Sequence, residues 1–260
     1  MAFIRRPERN AARVTSWWGL LEAALTAAPC DQVVPEPREG SVRIYLCRHG
    51  ETDWNEQRRL QGCRGDPPLN QLGVSQSRAL ARFLQDVPLD VVYSSPLERS
   101  RATADAIATA QQSSLKSETL AIVVDEDLKE MNFGQYEGRL LSEISDARAE
   151  FYASGDVALK WPGQGGESIS DVESRARRAL RRALATPRRT GQRHVAVVAH
   201  GRFNKILLAS LLYRSAARCG EIEQRNCAVN VLDFDQDGNP TLVLMNADPV
   251  ASNAAIPDEV

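Results

Sequence analysis

The architecture of the chain is set by residues 44–55, which read IYLCRHGETDWN. The first four are apolar, with β-branched and aromatic members, and predict a short buried β-strand. The strand ends abruptly in Arg48, His49 and Gly50. Open α/β sheets bind ligands beyond the carboxyl ends of their strands, so these residues are candidates for a binding site. Arg48 can bind an oxyanion through two parallel hydrogen bonds, and His49 can act as a nucleophile near neutral pH.

A second predicted strand ends in the same way. Residues 194–199 contain an unbroken apolar run, the clearest buried strand of the sequence, and His200 and Gly201 follow it directly. If the two strands are parallel neighbours, their carboxyl ends meet at one edge of the sheet. His49 and His200 are then expected to face the same crevice.

A further candidate lies at a predicted strand-to-helix junction. Residues 89–93 predict a strand, and Ser95 with Glu98 three positions later matches a capping box, with Pro96 at the first helical position. A helix is therefore predicted to start at this point. Arg99 falls in its first turn, where it can face the crevice of the two histidines.

The predicted site is strongly cationic. Arg48, His49, Arg99 and His200 are four potential cations, and the helix N-terminus adds its positive dipole. Packing several cations together is costly unless an anion is shared among them. A dianionic phosphoryl group would meet that requirement.

The order of elements predicts an α/β protein. Strands and helices alternate, and two strands are rich in buried β-branched residues, which favours a three-layer α/β/α sandwich with a mainly parallel sheet. The 260 residues are 43% hydrophobic and 25% charged, as in ordinary globular proteins. A formal net charge of −2 argues against a nucleic-acid binder, and no apolar run is long enough to predict a transmembrane segment.

Cysteine usage predicts neither a disulfide framework nor a metal site. The five cysteines are an odd number without a C-x-x-C pair, and no other metal-ligand spacing is visible. Cys63 lies in a loop near the predicted site and is interpreted as an incidental thiol. The sequence leaves the oligomeric state open.

Three segments are predicted: an N-terminal extension (1–40), a main domain (41–248) and a C-terminal tail (249–260). The extension combines four early arginines with an amphipathic helical pattern and ends in a proline-rich linker. It is typical either of an organellar transit peptide or of a helix docked on the domain, and Glu8 and Glu22 weaken the first reading. A cytoplasmic location is expected, with organellar import as the alternative.

The motifs, taken in order, resemble those of the histidine phosphatase superfamily, the phosphoglycerate mutase-like proteins. The resemblance covers roughly residues 41–246 and implies that the mainly parallel sheet gains one antiparallel strand. The matching motifs are Arg48-His49-Gly50-Glu51-Thr52-x-Trp54-Asn55, Leu60-Gln61-Gly62, Pro68-Leu69-Asn70-x-x-Gly73, Ser94-Ser95-Pro96-Leu97-x-Arg99, Leu128-x-Glu130-x-x-Phe133-Gly134-x-x-Glu137-Gly138, Gly165-Gly166-Glu167-Ser168 and Ala199-His200-Gly201.

The resemblance also implies roles for individual residues. His49 would attack phosphorus and carry the phosphoryl group, while Glu130 would first protonate the leaving oxygen and then deprotonate water. Arg48, Arg99 and His200 would neutralise the phosphoryl oxygens. No metal or other cofactor is required. The expected substrate-binding residues are Thr52, Asn55, Gln61, Gly62, Gly201 and Arg202.

Three functions are compatible with these motifs. The leading interpretation is a phosphatase acting on a small phosphorylated metabolite. The alternatives are a phosphoglycerate mutase, which would need a bisphosphorylated primer, and an idle relative that only binds phosphorylated partners. Arg202 departs from the small or polar residue often found after His-Gly, and either binds a second anionic group of the substrate or points to solvent.

Overall fold

The computed structural model describes residues 35–114, 120–185 and 193–253. The predicted amphipathic helix of the extension lies outside these residues, as does most of the predicted tail. The transit-peptide and docked-helix readings, the domain limits and the compartment therefore stay predictions. No helix in the described part of the chain is both long and apolar enough to cross a lipid bilayer.

The described residues form a six-stranded mixed sheet in the order β3-β2-β4-β1-β5-β6. Strand β1 pairs in parallel with β4 and antiparallel with β5, while β2 runs parallel to β3 and β4. Strand β6 is antiparallel to β5. Among these six strands only β5 is reversed, so the prediction of a mainly parallel mixed sheet is confirmed. The strands are β1 (Val42–Arg48), β2 (Val91–Ser94), β3 (Ile122–Val124), β4 (Arg193–Ala199), β5 (Val229–Phe234) and β6 (Pro240–Ala247).

Helices cover both faces of the sheet. They are α1 (Asp53–Glu56), α2 (Gln71–Leu84), α3 (Glu98–Ser114), α4 (Ser145–Ala153), α5 (Ile169–Leu184), α6 (Gly201–Leu212) and α7 (Pro249–Asn253). Successive residues of a strand point to opposite faces. Ile44 and Leu46 accordingly pack in a core with α5 and α6, whereas Tyr45 and Cys47 pack in a second core with α2 and α3. The predicted three-layer α/β/α sandwich is confirmed.

Two helix starts differ from the predictions. Helix α3 begins at Glu98, two residues after the predicted first position, Pro96. The predicted capping box does not form: the Ser95 hydroxyl accepts the N–H of Leu97, and the N–H of Glu98 donates to Asp66. The sequence of residues 140–153 predicts a helix, which in the structure begins only at Ser145. The preceding chain pairs instead with the segment after α1, where Leu141 N donates to the carbonyl of Arg58.

The predicted C-terminal tail begins as the short helix α7, which lies against α2. The carboxylate of Asp248 accepts the N–H groups of Val250 and Ala251 at the start of this helix. This first part of the segment therefore has a defined structure. Residues 254–260 lie outside the described chain.

The run of arginines in α5, from Arg175 to Arg182, predicts a solvated face, and this prediction is wrong for Arg175. The residue is only 8% exposed, and its guanidinium forms two hydrogen bonds with the carboxylate of Glu167, at 2.8 and 3.0 Å. It also donates to the carbonyl oxygens of Asp127, Lys129 and Glu130. Arg175 follows the buried Val172 by three positions, which places both on the inner side of the helix.

Replacing Arg175 should therefore destabilise the fold. Arg175→Met would leave the Glu167 carboxylate and three carbonyl groups without their donor, and should lower the free energy of unfolding by about 3–5 kcal/mol. Arg181→Met, at an exposed position of the same helix, should change it by less than about 0.5 kcal/mol. Urea denaturation compares the two variants, and equal stabilities would contradict a structural role for Arg175.

Candidate active site

The candidate site lies beyond the carboxyl ends of β1 and β4. Residue Arg48 pairs with Ala199 in register, so both strands end at the same level. The next residues are His49 and His200, whose ring centroids are 5.1 Å apart with the planes inclined by 58°. The predicted juxtaposition of the two histidines is thus present in the structure.

The hydrogen bonding of His49 fixes which ring nitrogen is free. Nδ1 lies 2.7 Å from the carbonyl oxygen of Gly50, and a carbonyl oxygen can only accept, so Nδ1 carries the proton. Burial, followed by the charges of Arg99 and Arg48, holds the pKa of His49 well below its usual value. The imidazole is therefore neutral near pH 7, with the lone pair on Nε2 available for attack.

His200 is held by two serine hydroxyls. Its Nε2 lies 2.8 Å from the Oγ atom of Ser95 and 3.3 Å from that of Ser100. The side chain is fully buried, and burial lowers its pKa well below the usual value, helped by the charge of Arg99. His200 is thus a second neutral imidazole close to the first.

Two arginines supply the positive charge of the site, and each donates a hydrogen bond to a backbone carbonyl oxygen. Arg48 donates from Nη1 to the carbonyl of Gln224 at 2.8 Å. Arg99 is fully buried, donates from Nη2 to the carbonyl of Gly62 at 2.7 Å, and forms an ion pair of 3.1 Å with Asp66. The anchors fix the orientation of each guanidinium and leave part of it free.

The free nitrogens of this region have no hydrogen-bond partner among the described residues. They are Arg48 Nε, Arg99 Nε, Gln61 Nε2 and His200 Nδ1, all of them buried. A buried donor without a partner costs about 1–3 kcal/mol, so a cluster of such donors is unfavourable without an acceptor-rich ligand. The oxygens of a phosphoryl group would satisfy these donors and neutralise both arginines.

Glu130 is positioned by backbone N–H groups. Its Oε1 atom accepts from Met131 at 2.8 Å and from Phe203 at 2.9 Å, and its Oε2 atom accepts from Arg202 at 2.9 Å. Arg202 and Phe203 belong to the first turn of α6, which begins directly after His200. The carboxylate is 6% exposed and lines the same cleft as His49.

The cleft has a volume of about 830 Å³ including its open mouth. Its lining contains most of the predicted residues. These are Arg48, His49, Asn55, Gln61, Glu130, Gly201 and Arg202. Arg99 and His200 are fully buried, and the charge of Arg99 lowers the pKa values of both histidines.

Thr52 and Gly62 were predicted to bind substrate, but neither lines the cleft. Thr52 is fully buried: its hydroxyl accepts the N–H of Asn55, capping α1, and donates to Gln61 Oε1 at 3.2 Å. Gly62 holds Arg99 through its carbonyl, and a Cβ atom at Gly62 would lie 2.1 Å from a carboxylate oxygen of Glu137. Thr52 therefore positions the cleft residues Asn55 and Gln61, and Gly62 positions Arg99.

Sequence reasoning missed several residues of the cleft. Arg148 and Tyr152 lie one turn apart on α4, and Lys205 lies one turn after Arg202 on α6. The sequence shows the i, i+4 spacing of the first pair and the i, i+3 spacing of the second. It does not show that α4 lies near α6. Arg59 and Trp161 also line the cleft.

The side chain of Arg202 lines the cleft. Its guanidinium carbon lies 4.6 Å from the ring centroid of Tyr152, within the cation–π range, and its Nη1 atom is 3.8 Å from the sulfur of Cys219. The Arg202 side chain is therefore partly exposed and faces the cleft. As for metal ligands, no group of three His, Cys, Asp or Glu side chains in residues 35–114, 120–185 and 193–253 is arranged to hold an ion.

Comparison with known proteins agrees with the fold and the motifs. The model of the histidine phosphatase superfamily (branch 1) matches residues 44–248. A probable phosphoglycerate mutase of Erwinia tasmaniensis is 32% identical over 197 residues, which cover 75% of this chain and 86% of that protein.

Two solved structures of phosphatases are also similar. The mycobacterial glucosyl-3-phosphoglycerate phosphatase superposes with a TM-score of 0.67 at 28% identity, covering 80% of this chain and 99% of that chain. The phosphoserine phosphatase of Entamoeba histolytica, in complex with 3-phosphoglyceric acid, gives 0.66 at 27% identity, covering 79% and 97%.

The chain therefore belongs to the histidine phosphatase superfamily. Its relatives include both phosphatases and mutases. The superfamily and the fold that the sequence motifs predicted are confirmed.

The histidines make the stability of the fold depend on pH. Burial lowers the pKa of His49, His194 and His200, the three histidines of the chain. Below about pH 6.5 the unfolded chain binds protons that the folded chain does not, so stability must fall as pH falls. Each imidazole that stays unprotonated in the folded chain adds up to about 1.4 kcal/mol per pH unit to the slope.

Urea denaturation at about pH 7.5, 6.5 and 5.5 measures this slope above the range in which carboxylates dominate. His194→Gln, which removes one titrating group outside the cleft, should make the slope shallower by about a third. A free energy of unfolding that does not change over this range would show that the buried imidazoles bind protons in the folded state.

Proposed function

We propose that the chain is a metal-independent phosphomonoester hydrolase that forms a phosphohistidine on His49, with a small phosphorylated metabolite as substrate. The proposal rests on the protonation state of His49 and on its surroundings. A neutral imidazole with a free Nε2 stands beside a cluster of buried, partnerless N–H donors. A nucleophile and a phosphoryl-binding cluster are thus combined in one cleft.

The first step transfers the phosphoryl group to the enzyme. Nε2 of His49 forms a bond to phosphorus while the ester P–O bond breaks, and Glu130 donates its proton to the leaving oxygen. Arg48, Arg99 and His200 stabilise the phosphoryl oxygens as their charge is redistributed. The alcohol then leaves through the open side of the cleft.

The second step returns the enzyme to its starting state. Water attacks phosphorus, Glu130 takes up a proton of that water, and the P–N bond breaks. The electron pair returns to Nε2, and inorganic phosphate leaves. The two steps use one carboxylate in turn as acid and base, and the N–H groups of α6 hold that carboxylate in place for both.

The phosphatase relatives support this proposal, but a mutase remains the second candidate because a probable phosphoglycerate mutase is also similar. A mutase must retain a monophosphate and return the phosphoryl group to it. The segment after the Glu130 motif offers three cations for such retention, and only Arg148 lines the cleft. Arg139 stacks on the ring of Tyr136, and Lys160 forms an ion pair with Asp171. The cations of this segment therefore do not decide between the two functions, and the phosphatase is placed first because of the phosphatase relatives.

Purified enzyme should release inorganic phosphate from several monoesters without added metal and without 2,3-bisphosphoglycerate. His49→Ala should abolish this release and keep the circular dichroism spectrum of the wild type, because it removes the attacking nitrogen only. Rapid-quench labelling should trap acid-labile phosphate on the wild type alone. Faster interconversion of 3- and 2-phosphoglycerate than phosphate release would establish a mutase, and acid-stable labelling would refute the phosphohistidine.

The role of Glu130 predicts a dependence on the leaving group. Glu130→Gln should slow the phosphoenzyme-forming step about 10²–10⁴-fold for alkyl esters, whose leaving oxygen needs a proton. Aryl esters, which leave readily as anions, should lose much less in that step. Single-turnover measurements on both ester types make the comparison, and equal losses would assign the acid to another group.

A further inference from the structure

We infer that the substrate carries a second anionic group, a carboxylate or a second phosphate, which binds against Arg148, Arg202 and Lys205 in the cleft. The inference rests on the proposed function, because it names the substrate class of the same site. We call these three residues the second cationic cluster.

The charge of the cleft is unbalanced. Its lining contains five cations, Arg48, Arg59, Arg148, Arg202 and Lys205, and a single carboxylate, Glu130. Arg48 is one of the residues proposed to bind the transferred phosphoryl group. Arg59 donates to the carbonyl of Gly138 and to the amide oxygen of Gln57. The second cationic cluster has no ion pair with any described residue. Binding of the transferred phosphoryl group does not explain why these three positive charges are present in the cleft.

The cluster is built from two helices. Arg202 and Lys205 occupy one side of α6, while Arg148 and Tyr152 occupy one side of α4. The guanidinium of Arg202 lies over the Tyr152 ring at 4.6 Å, which joins the two sides. The pKa of Lys205 is lowered to about 8 by burial and by the charges of Arg202 and Arg48. Mutual repulsion of this kind is relieved by an anion placed among the three side chains.

Two uncharged hydrogen-bond donors in the cleft also lack an acceptor. Trp161 and Tyr152 both line the cleft. The indole Nε1 of Trp161 and the hydroxyl of Tyr152 are buried and have no hydrogen-bond partner among the described residues, and Trp161 is only 2% exposed. A buried indole N–H normally finds an acceptor, and an anionic group supplies several.

The position of the cluster identifies the part of the substrate that it would bind. The backbone N–H of Arg202 holds the carboxylate of Glu130, the group that protonates the leaving oxygen. The Arg202 side chain therefore starts beside the leaving group and not beside the transferred phosphorus. The second anion must then belong to the alcohol, a few atoms from the ester oxygen. Small acidic phosphomonoesters have this form, whereas neutral sugar or alkyl phosphates do not.

Three esters of similar size distinguish the possibilities: 3-phosphoglycerate, propane-1,3-diol bisphosphate and glycerol 3-phosphate. The wild type should show a kcat/KM for phosphate release at least about tenfold higher for one of the acidic esters than for glycerol 3-phosphate, because charge-assisted hydrogen bonds are the strong ones. A preference for 3-phosphoglycerate assigns a carboxylate, and a preference for the bisphosphate assigns a second phosphate. Equal values for all three overturn the inference.

Substitutions test whether the cluster causes the preference. Arg202→Gln and Lys205→Met should each reduce the ratio of acidic to neutral ester about tenfold, and a loss shared by both esters cancels in this ratio. Arg82→Gln removes a charge from the exposed side of α2, outside the cleft, and should leave the ratio unchanged. An unchanged ratio in both cleft variants, with wild-type circular dichroism spectra, would overturn the inference.

Binding separates this inference from the proposed function. Calorimetry on His49→Ala measures affinity for the same esters without turnover. It therefore tests binding at the second cationic cluster even if the wild type releases no phosphate. Tighter binding of an acidic ester, weakened by Arg202→Gln in the same background, supports the second cationic cluster whatever the reaction. Equal affinities for acidic and neutral esters reject it, even if hydrolysis by His49 is established.

Discussion

The site depends on the parallel pairing of β1 with β4. Arg48 stands opposite Ala199, and the N–H of His49 donates to the carbonyl of Ala199 at 3.1 Å, so the two strands end together. A shift of one residue would turn every β1 side chain to the opposite face. Both faces of β1 are buried in different cores, and such a shift is therefore excluded on either side. The packing of the sheet thus sets the distance between His49 and His200.

The same burial explains how a cationic pocket is tolerated. Four potential cations were predicted, but burial lowers the pKa of both histidines, so only Arg48 and Arg99 carry charge near neutral pH. The carbonyl oxygens of Gln224 and Gly62 anchor these two guanidinium groups. The pocket is therefore less charged than its composition suggests, and for the same physical reason His49, the proposed nucleophile, keeps a free lone pair near neutral pH.

The parts predicted correctly from the sequence are those determined by short segments. Apolar runs that end in polar residues located β1, β4 and the two histidines, and the spacing after β2 located Arg99. The parts that were missed depend on contacts between distant segments. Arg175 looked like one of several surface arginines, because nothing local shows that the Glu130 loop covers it. Thr52 looked like a binding residue, although its hydroxyl is used within its own turn. Arg148 and Arg202 are 54 positions apart, and only the packing of α4 near α6 gives them a common cleft.

Position 202 separates two tasks within one residue. Its backbone N–H holds Glu130, the proposed acid, and its side chain faces the cleft. Any amino acid except proline supplies the same N–H, so evolution can exchange the side chain without rebuilding the acid. Lineages of this fold can therefore drift in what they accept while keeping the reaction constant, and a designer who wants a new specificity has a position where the catalytic apparatus need not be touched.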